Sequence, residues 1–224
     1  MLKVTYYGQS VFLLDNGKER IIIDPFISGN PLATVKPEEL KVDYIILTHA
    51  HGDHFGDTID IAKNNDATVV AVSELARFCG SKDVKAQGMG VGGSHDFPFG
   101  KVKLTIAHHT SSYNGQYMGD AAGVIVTMDE KNIYHCGDTG LFYDMKLIGE
   151  MTPIDLMLVP IGDNYTMGID DAVKAVELCN PEIAVPMHYS TAGLTKADPS
   201  MFVDKINKIG KKALIVQPGE TINI

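Results

Sequence analysis

Apolar residues recur along this chain at two spacings, and the alternation between them sets out the expected elements. Strand-like runs fall near residues 2–7, 11–14, 20–23, 43–47 and 68–72, with helical stretches near 58–65 and 73–79. The second half has strand patterns near 102–107, 121–128, 132–135, 155–159, 183–186 and 213–216, and helical ones near 141–149, 170–179 and 199–209. Asp170 or Asp171 is expected to cap the second of those helices, since a short carboxylate accepts from free N–H groups at a helix start. The glycine-rich residues 88–93 match no phosphate-binding spacing and read as a flexible hairpin connection. His95 beside them reads as a surface or turn residue. Two sheets packed face to face with helices outside suit this order of elements.

Composition narrows the classes. The 224 residues are enough to bury a full core as one domain spanning 1–224, and 45% hydrophobic content excludes a disordered chain. No apolar run approaches the roughly 20 residues that a membrane helix needs, so no membrane partner is expected. The first residues run straight into a strand pattern rather than a basic segment followed by an apolar one, and the expected location is the cytoplasm. A net charge of −9, with Arg20 and Arg77 the only arginines, disfavours long phosphate backbones and so nucleic acid. Cys79, Cys136 and Cys179 are odd in number and scattered, which argues against a disulfide framework. Cys136 reads as a small buried thiol rather than a metal thiolate.

The chemistry concentrates after the apolar run 44–47. Residues 48–54 bring His49, His51, Asp53 and His54 onto one short loop, where clustered imidazoles and carboxylates are costly to desolvate unless they bind something. Such a set suits Zn²⁺ and other borderline divalent ions. His49 and His51, two apart, can lie on one side of an extended segment and grip one ion, leaving Asp53 and His54 for another. Three further apolar runs end in candidate ligands: His108 and His109 after 102–107, His135 and Asp138 after 132–134, and His188 after 183–187. Of eight histidines only His95 lies away from these strand ends. Strand ends converging on one rim build a rigid ligand shell from distant sequence. Adjacent side chains near a strand end point to opposite sides, so His108 and His109 are not both expected to face one ion.

These residues resemble the metallo-β-lactamase superfamily, whose His-x-His-x-Asp-His signature stands here at His49, His51, Asp53 and His54. The resemblance extends over essentially the whole chain and is nearest to the compact metal-dependent hydrolase branch that includes the L-ascorbate-6-phosphate lactonase-like proteins. It implies an α/β fold, a four-layer αββα sandwich. It also implies a ligand set: His49, His51 and His109 on one metal, Asp53, His54 and His188 on another, and Asp138 bridging the two. His109 is preferred to His108 because the family places its histidine second in this pair. Relatives often carry histidine where Gln9 stands, and glutamine does not shuttle protons near neutral pH.

The activity so implied is a metal-dependent hydrolase that uses a metal-bridging hydroxide on a small cytoplasmic ester, lactone or phosphoester. Asp53, Asp138 and His188 are the expected catalytic residues. Zn²⁺ is expected first, with Mn²⁺ or Fe²⁺ compatible because two carboxylates add hard oxygen ligands. The alternatives are a metal-stabilised binding or scaffold protein without catalysis, and a small nuclease or phosphodiesterase. The expected partner is a small-molecule substrate, and self-association into a homo-oligomer stays open. Asp24 is expected to hydrogen-bond a ligand imidazole. His135 is expected to be a strand residue or to support a ligand. Ser111, Ser112 and Tyr113, and the segment 162–168, are candidates to line the substrate site.

Overall fold

The computed structural model of the protein describes residues 1–189 and 195–224. A seven-stranded sheet is built from β1 (Lys3–Tyr6), β2 (Phe12–Asp15), β3 (Arg20–Ile23), β4 (Tyr44–Ile46), β5 (Thr68–Val72) and β6 (Lys85–Met89), with β15 (Thr221–Asn223) joining beside β1. A six-stranded sheet has the order β14-β13-β12-β11-β8-β7, formed by β7 (Ser94–Phe97), β8 (Gly100–Ile106), β11 (Ala122–Met128), β12 (Lys131–His135), β13 (Leu156–Pro160) and β14 (Ile183–Met187). A small hairpin of β9 (Ser112–Tyr113) and β10 (Gln116–Tyr117) stands apart. Helices α1 (Gly52–Phe55), α2 (Thr58–Asn65) and α3 (Ser73–Gly80) accompany the first sheet. The others are α4 (Met145–Met151), α5 (Ile169–Cys179) and α6 (Pro199–Lys208).

Side-chain alternation explains the layers. In β11, Val124, Val126 and Met128 join the core between the sheets, whereas Ile125 turns to the helix side. In β13, Leu156 and Leu158 face inward while Met157 and Val159 pack under α5 and α6 with Ala175, Val176 and Phe202. Strands β4 and β5 read as largely apolar runs because α2 packs on both and α3 on β5. By contrast β1 alternates buried Val4 and Tyr6 with Lys3 and Thr5. The result is four layers, helices outside two sheets. Each fully buried Leu, Ile or Val contributes roughly 1.5–3 kcal/mol by leaving water.

Strand direction positions the site. In the first sheet β3 to β6 run parallel. In the second, β8 and β12 both run antiparallel to β11, and β12, β13 and β14 are parallel to one another. The carboxyl ends of β8, β12, β13 and β14 therefore share one rim. The Ala122 N–H donates to the Thr48 carbonyl at 3.0 Å, which ties that rim to the end of β4. Loops beyond the carboxyl ends of parallel strands are the usual place for a ligand site.

Several expected elements differ. The glycine-rich stretch is not a hairpin: Gly88 and Met89 belong to β6, and residues 90–93 carry the chain from one sheet to β7 of the other. Polar composition hides both strands, since each lies at a sheet edge. His95 is exposed on β7 with its ring edge-on to Phe97. The run near 213–216 forms only a single bridge, Ala213 to Ala184. The helix expected from 141 starts at Met145. Gly168, not Asp170 or Asp171, occupies the cap of α5; the two aspartates sit in its first turn, where their charge complements the helix dipole.

Candidate metal centre

The loop after β4 makes one wall. It runs extended through His49 to His51, whose φ of −62° and ψ of 150° start the single turn α1. That turn brings His54 back under His49, with the two ring centroids 4.1 Å apart. Gly56 closes it at a φ of 42°, where an added Cβ would meet Phe26 Cα and the Pro25 carbonyl at 2.5 Å. Only glycine permits α1 to lie this close to the segment that follows Asp24.

Buried hydrogen bonds set the rings of this wall. Asp24, fully buried, accepts from the Thr48 N–H at 2.8 Å, from the Thr48 hydroxyl at 2.6 Å and from His54 Nδ1 at 2.8 Å. The Thr48 hydroxyl has given its one proton to Asp24, so at 3.0 Å it accepts from His49 Nδ1. Both His49 and His54 thus carry hydrogen on Nδ1 and turn Nε2 toward the cleft. Orientation of a ligand ring through its other nitrogen is how metal sites fix geometry. The expected role of Asp24 is met at His54. Asp24, His49 and His54 are close enough to form a three-ligand group by themselves, but the hydrogen bonds already occupy both Asp24 oxygens.

The opposite wall comes from three strand ends. The backbone after β8 is pinned by the His108 N–H donating to Thr139 Oγ1 at 2.9 Å, which sets His109 beside Asp138. His108 itself is exposed, its ring edge-on to Phe142. Beyond β12 the chain turns at Gly137 (φ 62°), where a Cβ would meet the Ala122 carbonyl at 2.8 Å and Thr48 Cβ at 3.0 Å. This close approach inserts buried Asp138 between the walls. His135 braces the turn: its Nδ1 accepts from the Gly137 N–H at 3.1 Å, so its Nε2 donates to the Ser10 carbonyl at 2.9 Å. With both nitrogens used, His135 is a buried support outside the cluster. His188 follows β14 at a φ of 56°, its N–H donating to the Gln9 carbonyl at 2.8 Å. Gln9 and Asp24 also occupy the left-handed region, at φ 54° and 49°. Such backbone costs roughly 1–3 kcal/mol per residue and gathers at functional sites.

The candidate ligand atoms crowd together. His51 Nδ1 lies 3.1 Å from His49 Nε2 and 3.2 Å from His109 Nε2. Asp138 Oδ1 is 3.2 Å from His54 Nε2, and its Oδ2 is 3.1 Å from His188 Nε2 and 3.6 Å from His109 Nε2. Asp53 Oδ2 lies 3.5 Å from His188 Nε2 and 3.7 Å from His54 Nε2. Two groups of three suit an ion, His49 with His51 and His109, and Asp53 with His54 and His188. Asp138 spans them.

Among the described residues, His54 Nε2, Asp138 Oδ1 and His188 Nε2 are buried without a hydrogen bond. Leaving such atoms without a hydrogen bond costs about 1–3 kcal/mol each, and more when charged, and a cation placed among them offsets that cost. The donor set therefore fits divalent metal. Burial, aided by neighbouring His54, pushes His49 well below the usual imidazole range, and burial likewise lowers His51 and His109. In the other group burial is outweighed: Asp138 and Asp24 raise His54, and Asp138 with Asp53 lifts His188 to about 9. His188 and His54 in turn hold Asp53 below the ordinary carboxylate range, and His54 and His188 do the same for buried Asp138.

A cavity of about 340 Å³ opens over the cluster, lined by His51, Asp53, His109, Thr110, Asp138, Tyr165 and His188. Tyr165 comes from the segment 162–168, one of the candidate linings. Ser111 does not reach the cavity: it is buried, its hydroxyl accepting from the Ala50 N–H at 3.2 Å. Tyr113 packs on Phe55 and Phe78. Thr110 takes the lining position instead. Sequence reasoning missed Thr48, the shared anchor of His49 and Asp24, and missed that the Gln9 amide donates to Asp53 Oδ2 at 2.9 Å. Thr48 adjoins the motif and could have been read as its support; nothing in sequence places Gln9 beside Asp53.

Comparison with known proteins agrees with this geometry. The family described as "Beta-lactamase superfamily domain" matches residues 19–189, a span that contains every candidate ligand. A UPF0173 metal-dependent hydrolase of Bacillus mycoides (strain KBAB4) is 49% identical, with 100% of both chains covered. Among solved structures, Igni18, a metallo hydrolase from the archaeon Ignicoccus hospitalis KIN4/I, shares 37% identity over 99% of this chain and 97% of its own, with a TM-score of 0.92. CmlA, a diiron β-hydroxylase of Streptomyces venezuelae, has a TM-score of 0.79 at 11% identity, with 54% of its length covered. That last likeness concerns the fold alone, and it illustrates that one fold hosts different chemistries.

Proposed function

Because this chain belongs to the metallo-β-lactamase superfamily and, within it, to the UPF0173 metal-dependent hydrolases, we propose that it uses two divalent ions to hydrolyse a small ester, lactone or phosphoester. The reading takes residues 1–224 as one domain, since the ligands come from both sheets. His49, His51 and His109 would hold one ion, and Asp53, His54 and His188 the other, with Asp138 between them. Zn²⁺ is the first choice for five imidazoles; Mn²⁺ and Fe²⁺ suit the two carboxylates. When bound, the ions acidify a water toward neutral pH and offset the charge that builds on the attacked centre.

The protein's own groups do the rest. Asp138 turns Oδ1 to His54 and Oδ2 to both His188 and His109, so its carboxylate meets nitrogens of both groups. Asp53, half-buried on the cavity wall, is the carboxylate placed to accept a hydrogen bond from the attacking water. His188 lies on the same wall, its Nε2 3.1 Å from Asp138 Oδ2 and 3.5 Å from Asp53 Oδ2, and a water in the cavity would protonate the leaving group. Thr110 and Tyr165 face the remainder of the substrate. A 340 Å³ cavity holding no lysine or arginine among its described lining residues suits a small molecule and not a nucleic acid.

The observation that carries this reading is the set of buried atoms His54 Nε2, Asp138 Oδ1 and His188 Nε2, crowded together at the cleft without a hydrogen bond. The test is a panel of aryl esters, lactones, phosphomonoesters and phosphodiesters, each run with Zn²⁺, Mn²⁺ and Fe²⁺. Metal-dependent turnover of at least one small substrate is expected. Silence across the panel from protein that binds metal tightly would favour a scaffold without catalysis.

A further inference from the structure

We propose that Gln9 is a positioning residue for the group formed by Asp53, His54 and His188, a role that rests on the two-ion reading above. Gln9 lies in the turn between β1 and β2, closed by the Val11 N–H donating to the Gly8 carbonyl at 3.0 Å, and only 3% of it is exposed. Its side chain and main chain act on two different ligands of the same group. The amide Nε2 donates to Asp53 Oδ2 at 2.9 Å, and the carbonyl accepts from the His188 N–H at 2.8 Å and the Tyr6 hydroxyl at 3.1 Å. One residue of the first sheet thereby sets a carboxylate from α1 against a histidine from the far end of the second sheet.

The residue type suits this task. Asp53 has a side chain 41% exposed, and the imidazoles facing its Oδ2 stand at 3.5 and 3.7 Å, beyond hydrogen-bond distance. Among the described residues the Gln9 amide is its one close donor, at 2.9 Å. A carboxylate oxygen has lone pairs enough to accept this bond and still face an ion. An amide is neutral at every working pH, so it orients Asp53 without the charge that a lysine would set against a cation. Holding a ligand by a hydrogen bond from outside the ligand set typically contributes about 10–100-fold in metal affinity.

The test is a Co²⁺ titration of metal-free protein, comparing wild type with Gln9→Asn and Gln9→Gly. Asparagine tolerates the left-handed backbone but is one methylene too short to reach Asp53, and glycine removes the side chain together with the strain. Both keep the carbonyl that holds His188. The expected result is a second equivalent weakened about 10–100-fold, with the first equivalent unchanged. Two equivalents in the wild type and an unweakened second one in both variants would overturn the role of Gln9 alone. Equal weakening of both equivalents, with a lowered Tm, would make Gln9 merely structural and also overturn it. A wild type that takes one equivalent would overturn the two-ion reading, and this inference with it.

Discussion

The group of His49, His51 and His109 and the group of Asp53, His54 and His188 sit side by side yet are prepared for metal in different ways. The first is three imidazoles whose neutral form burial favours, with His51 Nδ1 3.1 Å from His49 Nε2 and 3.2 Å from His109 Nε2. The second is a charged cluster in which His54 and His188 keep protons that Asp138, Asp24 and Asp53 stabilise. The first accepts an ion without first losing protons, while the second exchanges protons for one. Support differs as well: Asp24 and Gln9 hold members of the second group and Thr48 holds His49, whereas among the described residues His51 has beyond its fellow rings a single 3.4 Å contact, to Thr110. Neutral ligands need placement, and charged ones need placement and compensation.

The largest effect is expected where the groups meet. Asp138→Asn leaves a neutral amide that offsets little of the repulsion between two cations, so one ion should be lost or displaced. Turnover should fall by about a hundredfold or more, as small misplacements of a nucleophile do. Metal content and turnover measured together check this; two tight ions with near-normal turnover would remove Asp138 from the bridge.

His109→Ala should strip the first group of its third nitrogen and abolish turnover. His108→Ala, whose ring rests on Phe142 outside the cluster, should keep both metal content and most of the activity. The reverse outcome would shift the ligand by one position.

Asp24→Asn tests the anchored side. Asparagine cannot accept at both former oxygens, so the Thr48 and His54 bonds are broken or rearranged. Metal affinity should drop about 10–100-fold, with a loss of roughly 1–3 kcal/mol in folding stability measured by denaturant unfolding. Affinity indistinguishable from wild type would mean that His54 needs no anchor.

The comparison also sets a pH rule. Asp138 with Asp53 lifts His188 to about 9, and Asp138 with Asp24 raises His54, so metal-free protein at neutral pH favours the protonated form of both. The second ion's affinity should therefore rise with pH up to about 9, and proton release should accompany its binding. The first ion's affinity should stay nearly flat from pH 7 upward, because its three imidazoles are already neutral. Calorimetry in buffers of different ionisation enthalpy separates the two, and equal proton release at both steps would erase the distinction. The smallest effect on metal is expected from His135→Ala, which removes the brace of Gly137. Its Tm should fall while metal content holds.

Sequence revealed the two halves of this site unequally. His49, His51, Asp53 and His54 form one contiguous motif, so their joint chemistry was visible at once. His109, Asp138 and His188 stood out less directly, as a recurrence of candidate ligands after apolar runs to which the family resemblance gave roles, and the parallel carboxyl ends of β8, β12 and β14 are what bring them to one rim. The long buried strands and helices were readable because burial imposes a period. Edge strands β6, β7 and β15 were not, since Lys85, Ser94, His95 and Thr221 face solvent and carry no apolar signal. Pairings across distant sequence, such as Gln9 with Asp53, leave no local pattern at all.

The central claim is that two ions, not one, make this site work. Its most direct test is a Zn²⁺ titration of metal-free protein while hydrolysis of the best panel substrate is followed. Two tight equivalents per chain are expected, with full turnover reached only at the second. Full turnover at one equivalent, or in metal-free protein, would contradict the account.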